Sequence, residues 1–153
     1  MSTRYPASLD SRRANLVVQL REAFVALNDL VVPHLAEHGH PEFRPSHGAV
    51  FMYLDGTGTT VSTLAQRAQM TKQAMAELVL HLELHGYVSR VPDPDDGRAK
   101  LVLPTERGRD VFRLARGLVP DIEDRVARTI GQRRLAQLRV DLERIRHEFA
   151  ADD

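Results

Sequence analysis

Lys72, Gln73 and Ala76 are residue types that suit the edges of base pairs in a double helix. A lysine ammonium meets a phosphate or a guanine edge, a glutamine amide pairs bidentately with adenine, and alanine allows close approach or touches a thymine methyl. Further along, Arg98 follows an Asp95-Asp96-Gly97 tip, and Lys100 stands two residues later. An arginine on a protruding loop suits the narrow, electronegative minor groove. Asp95 and Asp96 would repel phosphate, so Asp96 is expected to pair with Arg98 or to cap the loop and hold its shape. Taken singly, these are a capped helix start and a solvated hairpin cation. Their order along the chain is what carries meaning.

Other residue types point to other chemistry. His34 and His38 are four apart, as are His81 and His85, and His40, Glu42 and His47 lie close together. Pairs at that spacing on a helix can share a zinc ion, so a metal-responsive protein is one alternative. Asp93, Asp95 and Gly97 faintly resemble a calcium loop, but its twelfth position, which needs a bidentate acid, is Pro104. The chain has no Gly-x-Ser-x-Gly, no His-Glu-x-x-His and no phosphate loop, and adjacent Asp95 and Asp96 make a poor acid–base pair. An enzyme is not expected, nor is a cofactor or a bound metal.

The elements that must position these residues follow from periodicity. Residues 9–32 read as a helix with Leu16, Leu20, Ala23, Phe24, Leu27, Leu30 and Val31 in one stripe, Asp10 or Ser11 as its cap and Pro33 as its break. Ser46–Leu54 reads as a short helix and Asp55–Gly58 as a turn. Ser62–Ala68 reads as a second helix, capped by Ser62 or Thr63, with Thr63 and Gln66 at capping-box spacing. After a tight Gln69-Met70 link, Thr71 caps a helix from Lys72 to His85. That helix buries Met75, Leu78, Val79 and Leu82 and ends at Gly86. The period then changes to two. Tyr87–Val91 and Ala99–Leu103 read as strands around a turn-rich tip. Thr105 caps a long helix to about Ile130, bent at Pro120 and broken by Gly131. A last helix carries Leu135, Leu138, Leu142, Ile145 and Phe149, a narrow stripe like a helix-to-helix seam.

The order helix, tight turn, capped helix, hairpin is the helix-turn-helix plan with a wing. Its second helix can lie in the major groove with its N-terminal residues near base edges. Free N–H groups at that helix start also suit a phosphate. The 153 residues fit a single domain, with 42% hydrophobic and 27% charged residues. No cysteine is present, which excludes disulfides and thiol redox chemistry. No apolar run approaches a membrane span, and no signal segment opens the chain, so a cytoplasmic protein without a membrane partner is expected. Formal net charge is zero. That is a mild argument against a polyanion partner, softened by eleven Arg against seven acids between residues 104 and 146.

At this point the chain resembles the multiple-antibiotic-resistance regulator (MarR) family. The resemblance runs from Val61 to Gly108. It is carried by Val61–Ala65, Met70–Met75, Leu82–Val88 and, most specifically, by the wing Asp93–Lys100 with its exit Leu103–Arg109. It implies a mainly α fold with a small β-hairpin wing. A winged helix-turn-helix module would occupy 45–103, and dimerisation helices 9–38 and 105–151, within one domain over 1–153. It implies a homodimer on a pseudo-palindromic operator of double-stranded DNA, most often a repressor released by a small-molecule effector. The expected DNA contacts are Ser62, Thr63, Thr71, Lys72, Gln73, Ala76, Arg98 and Lys100. His34, His47, Phe51 and Phe112 are candidate pocket residues. The chain departs from the family pattern at Ala76-Glu77, where Ser-Arg is common, at Gly97 in place of a basic wing residue, and at Leu80 in place of a polar one. A winged-helix interaction module without DNA binding is the other alternative.

Overall fold

Residues 15–149 are described by the computed structural model of the chain. Helix α1 (Leu16–Asn28) starts at Asn15, whose side-chain oxygen accepts from the Val17 and Val18 amides at 2.9 and 3.3 Å. The expected caps Asp10 and Ser11 lie outside the described residues. Helix α2 (Val31–Glu37) begins before Pro33 rather than at it. The break falls at Asp29-Leu30, and Pro33 sits in the first turn of α2, where its missing N–H has no partner to lose.

A single 3₁₀ turn (Pro45–His47) leads into α3 (Gly48–Tyr53). Strand β1 (Thr59–Thr60) follows, then α4 (Val61–Arg67), α5 (Lys72–Leu84), β2 (Val88–Pro92) and β3 (Lys100–Pro104). The sheet has order β1-β3-β2, all antiparallel, with Thr59 opposite Val102 and Val91 opposite Leu101. The wing hairpin is thus part of a three-stranded sheet. Two threonines have no periodicity to read, so β1 was not expected. The cap of α4 also differs from expectation. Thr60, with extended backbone, accepts the Thr63 amide at 3.1 Å, so Thr63 is the capped residue and neither it nor Ser62 is the cap.

The core gathers Leu35, Val50, Leu64, Met75, Val79, Leu82, Tyr87, Val102 and Val111, each essentially without solvent exposure. Removing such a side chain from water stabilises a fold by roughly 1.5–3 kcal/mol. Tyr87 is the largest of them. Its hydroxyl donates to Glu42 at 3.2 Å, and the Arg107 guanidinium lies 4.4 Å from its ring centre. Burial pushes the Tyr87 hydroxyl up to about 12.

Helix α6 (Glu106–Ile130) is a single helix with Pro120 inside it, and Thr105 caps it by accepting the Gly108 amide at 3.2 Å. Gly131 takes φ +90 and separates it from α7 (Gln132–Phe149). The chain divides into two compact units, one reaching to Ala115 and one starting at Arg116. In the first unit, α1 leaves Leu16, Leu20, Phe24 and Leu27 exposed. In the second, Val119, Leu138, Leu142, Ile145 and Phe149 are exposed. Among the described residues no helix is long and apolar enough to cross a membrane.

Candidate nucleic-acid interface and ligand cavity

Helices α4 and α5 are joined by a closed turn. The Gln69 amide donates to Gln66 O at 3.1 Å and the Met70 amide to Ala65 O at 2.8 Å, the paired bonds of a Schellman motif. Gln69 stands at φ +52, a left-handed conformation normally left to glycine. Thr71 then caps α5, accepting the Ala74 amide at 3.1 Å. Its far end closes through the same pair of bonds, with Gly86 at φ +73.

The cap fixes which way α5 faces. Met75, Val79 and Leu82 turn into the core, and Lys72, Gln73 and Glu77 turn to solvent, with Ala76 half-buried between them. Lys72 forms no ion pair with a described residue. Ser62 is exposed in the first turn of α4. Thr63 is half-buried, and its hydroxyl is shared with Thr60 at 2.9 Å. The Thr71 hydroxyl is taken up by its cap bond, and Thr71 is still exposed.

The wing is held by its own aspartates. Asp93 accepts the Asp95 amide at 2.9 Å, and Asp96 accepts the Arg98 amide at 3.0 Å, both side-chain-to-backbone turns. Asp96 therefore caps the loop through the backbone of Arg98. The Arg98 guanidinium is exposed and pairs with no described carboxylate. Lys100 is exposed at the start of β3, and its charge, with that of Arg90, bears on Glu83.

Two connections were not visible in the sequence. Arg90 Nε of β2 donates to Glu83 of α5 at 2.9 Å and ties the wing to that helix. The arginine bond holds the Glu83 carboxyl below its usual range. Arg67 of α4 donates to Asp55 at 2.8 Å and to Tyr53 O at 3.0 Å, bracing the turn before β1 and likewise lowering the Asp55 carboxyl. Neither pair has a local spacing that announces it.

Five of the histidines meet in ring-to-ring contacts, one stacked and two tilted. His47 lies on His81 at 4.6 Å between ring centres, His81 against His85 at 4.4 Å, and His34 against His38 at 4.3 Å. Among the described residues no three His, Cys, Asp or Glu side chains could hold one metal ion. A cavity of about 210 Å³ opens instead among Val31, Val32, Leu35, Phe43, Phe51, Val111 and Phe112, with Asn28 its one side chain able to hydrogen-bond. Phe51 and Phe112, in contact at 4.8 Å between ring centres, form part of its wall, and His34 and His47 lie outside its lining.

Residues 43–99 match the MarR family. The chain is 30% identical over 97 residues to the transcriptional regulator HosA of Escherichia coli O111:H-, covering 61% of this chain and 72% of that protein. It superposes on the transcriptional regulator PA4135 with a TM-score of 0.70 at 26% identity, over 87% of this chain and 96% of the other. The fold is also that of the repressor CouR, solved bound to a 23-mer DNA duplex, with a TM-score of 0.68 at 22% identity over 94% and 99% of the two chains. CouR from Rhodococcus jostii RHA1 has been solved with p-coumaroyl-CoA as well. These relatives are regulators of transcription rather than enzymes. With its capped second helix, its wing and its three-stranded sheet, the chain belongs to the MarR family of transcriptional regulators.

Proposed function

We propose that the chain acts in the cytoplasm as a homodimeric, sequence-specific repressor on double-stranded DNA, released when a small molecule binds. In this reading residues 45–103 form the DNA-binding module and residues 9–38 and 105–151 the dimerisation region. The observation that carries the reading is the placement of two exposed cations, Lys72 and Arg98, on the first turn of α5 and at the wing tip of one compact unit. Cations at those two places are positioned to neutralise duplex phosphates and release their counterions. Lys72, Gln73 and Ala76 meet the major groove, Arg98 the minor groove, and Ser62, Thr63, Thr71 and Lys100 the flanking backbone. The exposed apolar stripes of α1 and α7 support a second copy covering them. The apolar cavity lined by Phe43, Phe51 and Phe112 supports a small, largely apolar effector.

The test is binding to duplex DNA across a salt series. Affinity falls steeply as salt rises. Arg98→Ala weakens binding to a selected operator by about 1–3 kcal/mol without moving the thermal midpoint. Unchanged affinity in that variant would exclude the wing as a contact, and binding indifferent to salt would exclude DNA as the partner.

A further inference from the structure

The outward face of α5 does not stop at Ala76. Leu80 follows Gln73 by seven residues, two helical turns, and so returns to the same side of the helix about 10 Å further along. It is 47% exposed, whereas Met75, Val79 and Leu82 on the opposite side have no exposure at all. Past Gln73 this face carries no hydrogen-bond donor. It presents the methyl of Ala76, the acceptor-only carboxylate of Glu77, the isobutyl of Leu80 and, at the helix end, that of Leu84, 76% exposed. A side chain that cannot donate reads none of the acceptors on guanine, adenine or thymine. The one apolar group that base pairs show in the major groove is the C5 methyl of thymine.

We infer that Leu80 is a specificity-determining residue that packs on a thymine methyl about three base-pair steps from the base read by Gln73. The inference rests on the reading of α5 as the groove helix. It assigns the apolar part of that face one occupant, the methyl edge of an A·T pair. The Leu80 side chain stands on a helix already fixed by its core stripe and by the Thr71 cap, so little ordering is left to oppose the contact.

The experiment uses the full-length protein and a duplex selected by it from a random pool. Thymines are replaced one at a time by deoxyuridine, which removes a methyl and leaves every hydrogen-bonding atom in place. The expected result is one thymine in each half-site whose replacement weakens binding about three- to fivefold, the worth of one buried methyl. Leu80→Ala binds the thymine and uridine duplexes equally, and Leu80→Met keeps the preference; both fold like the parent because residue 80 is half-exposed. Selected duplexes bound tightly with every uridine replacement neutral would overturn the inference and leave DNA binding standing. A preference that survives in Leu80→Ala would overturn it too. Failure to select any sequence, with no salt-sensitive binding, would overturn the DNA reading along with it.

Discussion

A methyl group added at Gly108 would sit 2.1 Å from the carbonyl oxygen of Tyr87, on backbone that cannot yield. That carbonyl also receives the Thr105 amide and hydroxyl, both at 3.1 Å, so the start of α6 is clamped onto the first residues of the wing. Gly108→Ala must open this clamp, and we expect a loss of about 1–3 kcal/mol or more in urea unfolding. Gln69 presents the opposite case. Its left-handed backbone costs about 1–2 kcal/mol in a residue with a Cβ. Glycine there recovers that cost and gives back about 0.5–1 kcal/mol in the freedom of the unfolded chain. Gln69→Gly should therefore raise stability by up to about 1 kcal/mol, and a lower unfolding midpoint would refute it. At this scale the sequence is legible where chemistry is local. Thr71 as a cap and Asp96 beside Arg98 follow from spacing alone. Glu83–Arg90 and Asp55–Arg67 could not be read, because each pair is brought together by a turn whose shape must be known first.

The elements show the same division. Helices α5 and α6 were legible because long apolar periods with a threonine cap and a glycine stop leave few alternatives. Strand β1 was not, because two residues gain strand geometry only from the β3 backbone they pair with. The break between α1 and α2 was placed too late because proline marks where a donor is missing, not which turn of the helix it occupies. The joint between the 3₁₀ turn and α5 leads to a pH prediction. His47 is buried, stacks on His81 and accepts the Arg44 amide through Nδ1 at 2.9 Å, so its ring is neutral. Burial first, then the charges of His81, Arg44 and His85, lower it from the ordinary 6.5 to about 4. Below pH 6.5 the unfolded chain takes up a proton that the folded one refuses, so stability is complete above that pH and falls as pH drops toward 4. The loss is of order 2–3 kcal/mol. Urea midpoints at pH 7 and 5 should separate in the parent and draw together in His47→Gln. Equal separation in both would show that His47 is not the group responsible.

At the scale of the molecule the decisive quantity is apolar surface left without a partner. Helix α7 turns Leu138, Leu142, Ile145 and Phe149 to solvent, the narrow stripe expected from their three- and four-residue steps, and α1 exposes a stripe of its own. Such residues were legible as apolar faces, but a single chain does not say what covers them. The proposed second copy makes a definite claim about both assembly and DNA. Leu138→Glu with Leu142→Glu places charge at positions a lone chain leaves 40% and 41% exposed, where a carboxylate can reach water, so each folded chain should keep its helicity. A dimer buries those positions and leaves the new carboxylates without counter-charges, so light scattering should report monomers. A monomer offers one α5 and one wing, and loses the gain of about 10²–10⁴ that a second, tethered contact brings to a two-site operator. Operator affinity should therefore collapse even though Lys72, Gln73 and Arg98 are untouched. Binding to random duplex at low salt, which needs only cations, should persist per chain. A double variant that remains dimeric would place the interface elsewhere. One that is monomeric yet binds the selected operator undiminished would show that each module works alone.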